Sequence, residues 1–128
     1  MSDGVIRVVL ADDHAVVRAG LKAMLDGESD IRVVGEAANG REVVTLAQRE
    51  WPDVVLMDLK MPELDGIAAT RAIMAEGLPA RVLMLTMHSE EDFLVPAMEA
   101  GAAGYLVKAD AHRDHDSPRA PRPDRMRR

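Results

Sequence analysis

Asp12, Asp13 and Asp58 stand out as residues placed to do chemistry, because they follow directly on short apolar runs. VVLA precedes the acidic pair and VVLM precedes Asp58; in the same way Thr86 follows VLML and Lys108 follows YLV. If those runs are neighbouring parallel strands, three carboxylates, a hydroxyl and an ammonium converge outside the carboxyl ends of one sheet. That rim is where open α/β sheets bind their ligands. Carboxylates crowded together raise one another's pKa unless a cation or a proton relieves them. Mg2+ suits the purpose, since it takes oxygen donors and commonly combines one or two protein carboxylates with waters and a substrate phosphate. Zinc is disfavoured, as no pair of histidines joins the set. Lys108 adds a point charge for a phosphoryl oxygen, and Thr86 adds a hydroxyl donor. A carboxylate nucleophile beside a divalent ion and a cation is equipped for in-line phosphoryl transfer to an aspartyl-phosphate, with Asp58 as acceptor.

Plainer readings stand beside this one. Asp12 or Asp13 could cap the helix that follows the first strand. Thr86 could be a β-favouring residue and Lys108 a solvated lysine at a strand end. Asp58 resists such a reading, because Asp65 in LKMPELDG already stands where the cap of the next helix belongs.

The elements that must position these residues show in the periodicity. Apolar runs at Val5 to Leu10, Ile31 to Ala37, Val54 to Met57, Val82 to Leu85 and Tyr105 to Val107 predict five strands. Between them, Ala15 to Leu25, Arg41 to Arg49, Ile67 to Ala75 and Phe93 to Ala100 carry helical spacing. Gly27, Gly77 and Gly101 follow three of these helices and suit C-terminal stops. Strands alternating with helices imply a doubly wound α/β domain: a five-stranded parallel sheet covered on both faces and joined by right-handed crossovers.

Composition agrees with a chain of this size and narrows its class. The 128 residues suit one domain, and 48% are hydrophobic with one Trp, one Tyr and one Phe, so the core must be aliphatic. A net charge of −6 disfavours direct nucleic-acid binding. The absence of cysteine removes disulfides, thiolate catalysis and cysteine-ligated zinc. The start MSDGVIR has no apolar leader and no long apolar run follows, so neither export nor membrane spanning is expected and the cytoplasm is the expected location. Charge divides the chain at residue 109: residues 1–108 carry a net −8 and residues 109–128 a net +2, which together make the −6. The segment 109–128 holds three Pro and six Arg, lacks Leu, Ile, Val, Gly and aromatic residues, and shows no regular period, so it reads as an irregular tail behind a domain of residues 1–108.

Taken together, the acidic pair in VVLADDH, the block VVLMDLKMPELDG, the strand end LMLTMHS and the segment AGAAGYLVK give the chain, from about residue 5 to 108, a resemblance to the receiver domain of two-component response regulators. DDHAVVRAGLKAML and GEAANGREVV resemble more narrowly the subfamily whose members carry a C-terminal helix-turn-helix of the LuxR/NarL type. The resemblance implies a flavodoxin-like sheet in the order 2-1-3-4-5. It also implies that Asp58 takes a phosphoryl group from the phosphohistidine of a sensor histidine kinase. Asp13 and Asp58 then bind Mg2+ directly, Asp12 acts through water, and the carbonyl of Lys60 completes the metal site. Thr86 hydrogen-bonds the phosphoryl group, Lys108 pairs with it, and Tyr105 is the switch aromatic that turns inward as Thr86 moves. Tyr105 as a ring that merely packs in the core is the open alternative. Lys60 and His88 fall where side chains tune the lifetime of the phosphoryl group, and they could equally be ordinary solvent-facing residues. His14 could cap or pack beside the site without a function, and His112 with His115 in the tail is poor evidence for a metal.

Two departures from the family matter. The fifth helix expected after Lys108 is missing: ADAHRD begins as though to start it and then breaks into Pro/Arg-rich sequence. Its loss should uncover apolar surface beside the first helix and invite oligomerisation, as a homodimer or by swapping an element. Either a shifted reading frame or an artificial junction has replaced the native sequence, or the protein is cut short. Lys108 is followed by Ala109 instead of proline, so no cis peptide is expected there. The helix-turn-helix is absent as well, so control of transcription belongs to a parent protein of which this chain is the input half.

The expected function is a phosphorylation-switched signalling domain, enzymatic only in phosphorylating itself and slowly losing the group. A non-switching interaction module is the alternative. A Mg2+-dependent phosphohydrolase is less favoured, because Lys60 stands where its acid/base would be needed. A dinucleotide fold is weaker still, since ADDHAVVRAG lacks the Gly-x-Gly turn.

Overall fold

Alternation along the strands divides the aliphatic residues between two faces of one sheet. The computed structural model describes residues 4–107 and 126–127. Its strands are β1 (Ile6–Ala11), β2 (Ile31–Ala37), β3 (Val54–Asp58), β4 (Arg81–Thr86) and β5 (Gly104–Val107). The helices α1 (Ala15–Asp26), α2 (Gly40–Glu50), α3 (Gly66–Ala75) and α4 (Leu94–Ala100) connect them. These five strands are parallel, in the order β2-β1-β3-β4-β5. The expected doubly wound α/β sheet is the one observed.

On the first face, Val9, Val55, Met57, Val82 and Met84 pack beneath Val43 and Ala47 of α2, Ala69 and Ile73 of α3, and Ala97 of α4. On the second, Val8, Leu10, Leu56 and Leu85 form a smaller cluster against which Leu21 and Leu25 of α1 lie half-buried. No residue of α1 is fully buried.

Helix ends follow local chemistry. Asp65 caps α3 as expected, its carboxylate accepting the Ala68 N–H at 2.8 Å. Asn39 caps α2, accepting the Glu42 N–H at 2.9 Å while Glu42 reaches back to the Ala38 N–H at 2.8 Å. Gly101 ends α4 with φ 117°, a conformation a side chain would strain, whereas Gly27 ends α1 in ordinary right-handed geometry with φ −74°. The helix expected from Phe93 starts one residue later. A 3-10 segment, His88–Phe93, precedes it, and Pro96 sits in the first turn of α4, where its missing N–H leaves no helical bond unmade.

One element had no signal in the sequence. Met126–Arg127 forms a two-residue strand, β6, antiparallel to the outer edge of β5, with Tyr105 opposite Arg127 and Leu106 opposite Met126. An open edge pairs through backbone groups and so asks little of side-chain pattern. The expected loss of the fifth helix and the expectation for the Lys108–Ala109 bond concern residues 108–125, outside the described residues.

Candidate functional site

The ladder registers bring the site together. Ala11 pairs with Met57 across β1 and β3, so the next residues, Asp12 and Asp58, emerge side by side at the carboxyl rim. The Asp12 N–H donates to the Ala37 carbonyl at 3.0 Å, and the Leu59 N–H to the Leu85 carbonyl at 3.2 Å, which holds both chain segments as they leave the sheet. Asp58 itself pairs with Leu85, and Thr86 with Val107.

Asp12 is fully buried and Asp58 is 4% exposed, while Asp13 lies at the surface. Donor atoms from Asp12, Asp13, His14 and Asp58 all lie within 4.8 Å of one another. The alternative in which Asp12 or Asp13 serves as the N-cap of α1 does not hold, because His14 occupies that position. Asp12 instead accepts the His14 backbone N–H at 2.8 Å, a local turn that aims its carboxylate along the rim. His14 Nδ1 lies 3.1 Å from a carboxylate oxygen of both Asp12 and Asp13. Arg18 donates to the Asp12 carbonyl at 2.6 Å and pairs with Glu36 at 3.2 Å, tying α1 to this corner.

Gly66 lets α3 start against the site. A Cβ there would stand 2.4 Å from the Asp58 carbonyl oxygen and 2.9 Å from the Met84 methyl carbon. With Asp65 capping α3, no cap role is left to explain Asp58.

Thr86 is fully buried, and its hydroxyl has no hydrogen-bond partner among the described residues. A buried hydroxyl left unsatisfied costs about 1–3 kcal/mol, so the position favours a hydrogen-bonding partner at the rim. Tyr105 is half-buried against the first-face core. The Lys60 side chain faces solvent, 65% exposed, with its ammonium 4.0 Å from Glu90 and 5.4 Å from the centre of the Phe93 ring. Glu90 is buried and accepts the Met87 N–H at 2.9 Å, so Lys60 and Glu90 together link the loop after β3 to the loop after β4. Lys108, His112, His115 and the His88 side chain lie outside the described residues.

His14, which the sequence allows to cap or pack beside the site, stands at the N-cap of α1 with its ring against the acidic pair. Glu90 escaped the sequence reading, being legible only as a carboxylate three residues after Met87. The donors present fit a hard divalent cation, since three carboxylates share one small volume and the buried Thr86 hydroxyl beside them lacks a partner.

The model of the response regulator receiver domain matches residues 8–114. The chain belongs to that family. Among its relatives, the transcriptional regulatory protein LiaR of Bacillus subtilis (strain 168) is 48% identical over 103 residues, covering 80% of this chain and 49% of LiaR. The receiver thus spans about half the length of the curated relatives it matches. Among solved structures, the signal receiver domain of the putative response regulator NarL from Mycobacterium tuberculosis superposes with a TM-score of 0.78 at 35% identity, over 90% of this receiver and 98% of that chain. A two-component response regulator of the LuxR family from Aurantimonas sp. SI85-9A1 also gives 0.78, at 38% identity over 94% of this receiver and 91% of that chain. The receiver therefore has LuxR/NarL-type homologues, as DDHAVVRAGLKAML suggested. No helix among its described residues is long and apolar enough to cross a membrane.

Proposed function

We propose that this receiver is a phosphorylation switch in which Asp58 accepts a phosphoryl group from the phosphohistidine of a sensor histidine kinase. The observation that carries the reading is the clustering of the Asp12, Asp13 and Asp58 carboxylates at the strand ends, with the buried, unpartnered Thr86 hydroxyl on the neighbouring strand. Asp13 and Asp58 would hold Mg2+, with Asp12 acting through water and the Lys60 carbonyl completing the set. When bound, the ion offsets the carboxylates' mutual repulsion and the charge of the incoming group. A carboxylate oxygen of Asp58 bonds to phosphorus as the P–N bond of phosphohistidine breaks, and the imidazole leaves with that electron pair. The Thr86 hydroxyl then donates to a phosphoryl oxygen, and Lys108 pairs with another. Movement of Thr86 makes room for Tyr105 to turn inward from its half-buried position on β5.

Residues 1–108 form the switching unit in this reading, and 109–128 a tail whose Met126–Arg127 pairs with the edge of β5. The partner is the kinase; the chain touches neither nucleic acid nor membrane, acts in the cytoplasm, and phosphorylation or a swapped element could couple two copies. The parent protein controls transcription. Catalysis is confined to self-phosphotransfer and slow autodephosphorylation.

The test is incubation with Mg2+ and acetyl phosphate, read by intact mass and light scattering. One added phosphoryl group, lost in Asp58→Asn, is the expected result. No addition, or addition that persists in Asp58→Asn, overturns the proposal.

A further inference from the structure

Among the described residues at the acidic rim, the proposed switch leaves the imidazole of His14 without a task. Its Nδ1 lies 3.1 Å from Asp12 Oδ1 and 3.1 Å from Asp13 Oδ1, and it shares with Asp58 the volume in which all donor atoms are within 4.8 Å of one another. The ring nitrogen hydrogen-bonds Asp12 at this distance, which is close to the about 3.0 Å between adjacent donors on a six-coordinate ion with bonds of about 2.1 Å, so an ion shared with Asp13 can take the place of the bridging proton with little movement of the ring. Its placement is set by the backbone: the His14 N–H is held by Asp12 at 2.8 Å, and the residue is the N-cap of α1, its ring turned to the two carboxylates instead of the helix end. The ring is 65% exposed, so it can complete or leave a coordination shell without disturbing the core. The unpartnered buried hydroxyl of Thr86 marks the same rim independently as a place awaiting a ligand.

We propose that His14 is a nitrogen ligand of this metal site and that it sets the selectivity among divalent ions. The inference rests on the metal-site reading given under Proposed function and extends it to a residue outside the carboxylate set. Mg2+ gains little from an imidazole, because it prefers oxygen donors and keeps its waters. Co2+ and Ni2+ bind imidazole well and lie above Mn2+ in the general affinity order. The rim therefore accepts Mg2+ through its carboxylates alone and takes Co2+ or Ni2+ more tightly through the added nitrogen.

The experiment is calorimetric titration of the full chain with MgCl2 and with CoCl2. His112→Ala and His115→Ala are introduced throughout, to remove the tail imidazoles. In that background, His14→Ala should weaken Co2+ binding about tenfold, the scale on which changes around metal ligands alter affinity, while Mg2+ affinity stays within about twofold. His88→Ala should leave the ratio of the two affinities unchanged. In proton spectra of the Co2+ form, a strongly shifted imidazole resonance should be present with His14 and absent in His14→Ala. An unchanged Co2+ to Mg2+ ratio in His14→Ala, or a ratio that changes with His88→Ala instead, overturns the inference. Asp58→Asn reports separately on the underlying reading. Mg2+ binding that falls in Asp58→Asn beside an unchanged ratio in His14→Ala defeats only the role of His14. Failure of the parent chain to bind either ion defeats both.

Discussion

The two faces of the sheet are built from alternate residues of the same strands, yet they are covered very differently. Val9, Val55, Met57, Val82 and Met84 look toward α2, α3 and α4, whose Val43, Ala47, Ala69, Ile73 and Ala97 are buried to the last few per cent. Val8, Leu10, Leu56 and Leu85 look toward α1, which buries none of its own residues fully. Leu83, Leu106, Leu21 and Leu25 stay half-buried there, and Val16 is 85% exposed. Strand alternation supplies apolar side chains to both faces alike, so the difference arises from the helices. A sheet with three helices on one side and, among the described residues, one on the other has a stability-determining face and an accessible one. The acidic rim lies where the two meet, held from the first face by Gly66 and α3 and from the second by Arg18 of α1.

Substitutions on the two faces test this contrast. Ile73→Ala removes a fully buried side chain from the first face and should cost about 2–5 kcal/mol by chemical denaturation. Gly40→Ala should cost about 1–3 kcal/mol, because the added methyl would stand 1.9 Å from the Leu64 carbonyl oxygen, and backbone must shift to admit it. On the second face, Leu25→Ala should cost only about 1–2 kcal/mol, since its side chain is half-buried. A loss as large as that of Ile73→Ala would show that Leu25 is covered in solution, and light scattering would then distinguish a second copy from a segment of the same chain. Val16→Ser should change stability by less than about 0.5 kcal/mol. A larger loss, or a fall in assembly mass in the same variant, would mean that α1 is an interface and break the contrast.

Most of the fold was legible because it depends on short-range pattern. VVLA, VVLM and VLML are too apolar and too short for anything but buried strands, and α1 and α3 keep helical spacing over three turns. Asp65 was readable as a cap because a cap needs only its own side chain and the next turn. The 3-10 segment His88–Phe93 was not legible, since i to i+3 bonding carries no period that separates it from the start of a helix. Nor was β6, whose pairing uses backbone groups available in any sequence.

The same division runs through the site. Residue type and position after a strand were enough to single out Asp12, Asp13, Asp58 and Thr86, because every strand of a parallel sheet delivers its next residue to one rim. Pattern could not state that Thr86 would be buried without a partner, that Lys60 would reach Glu90 and Phe93, or that His14 would turn its Nδ1 toward two carboxylates. Those facts depend on side-chain direction and on contacts between segments distant along the chain. They exist only once the strands are in register and the loops have closed over the rim. The sequence by itself determined which elements form and which residues arrive at the rim; the tertiary structure decided what each of them meets there.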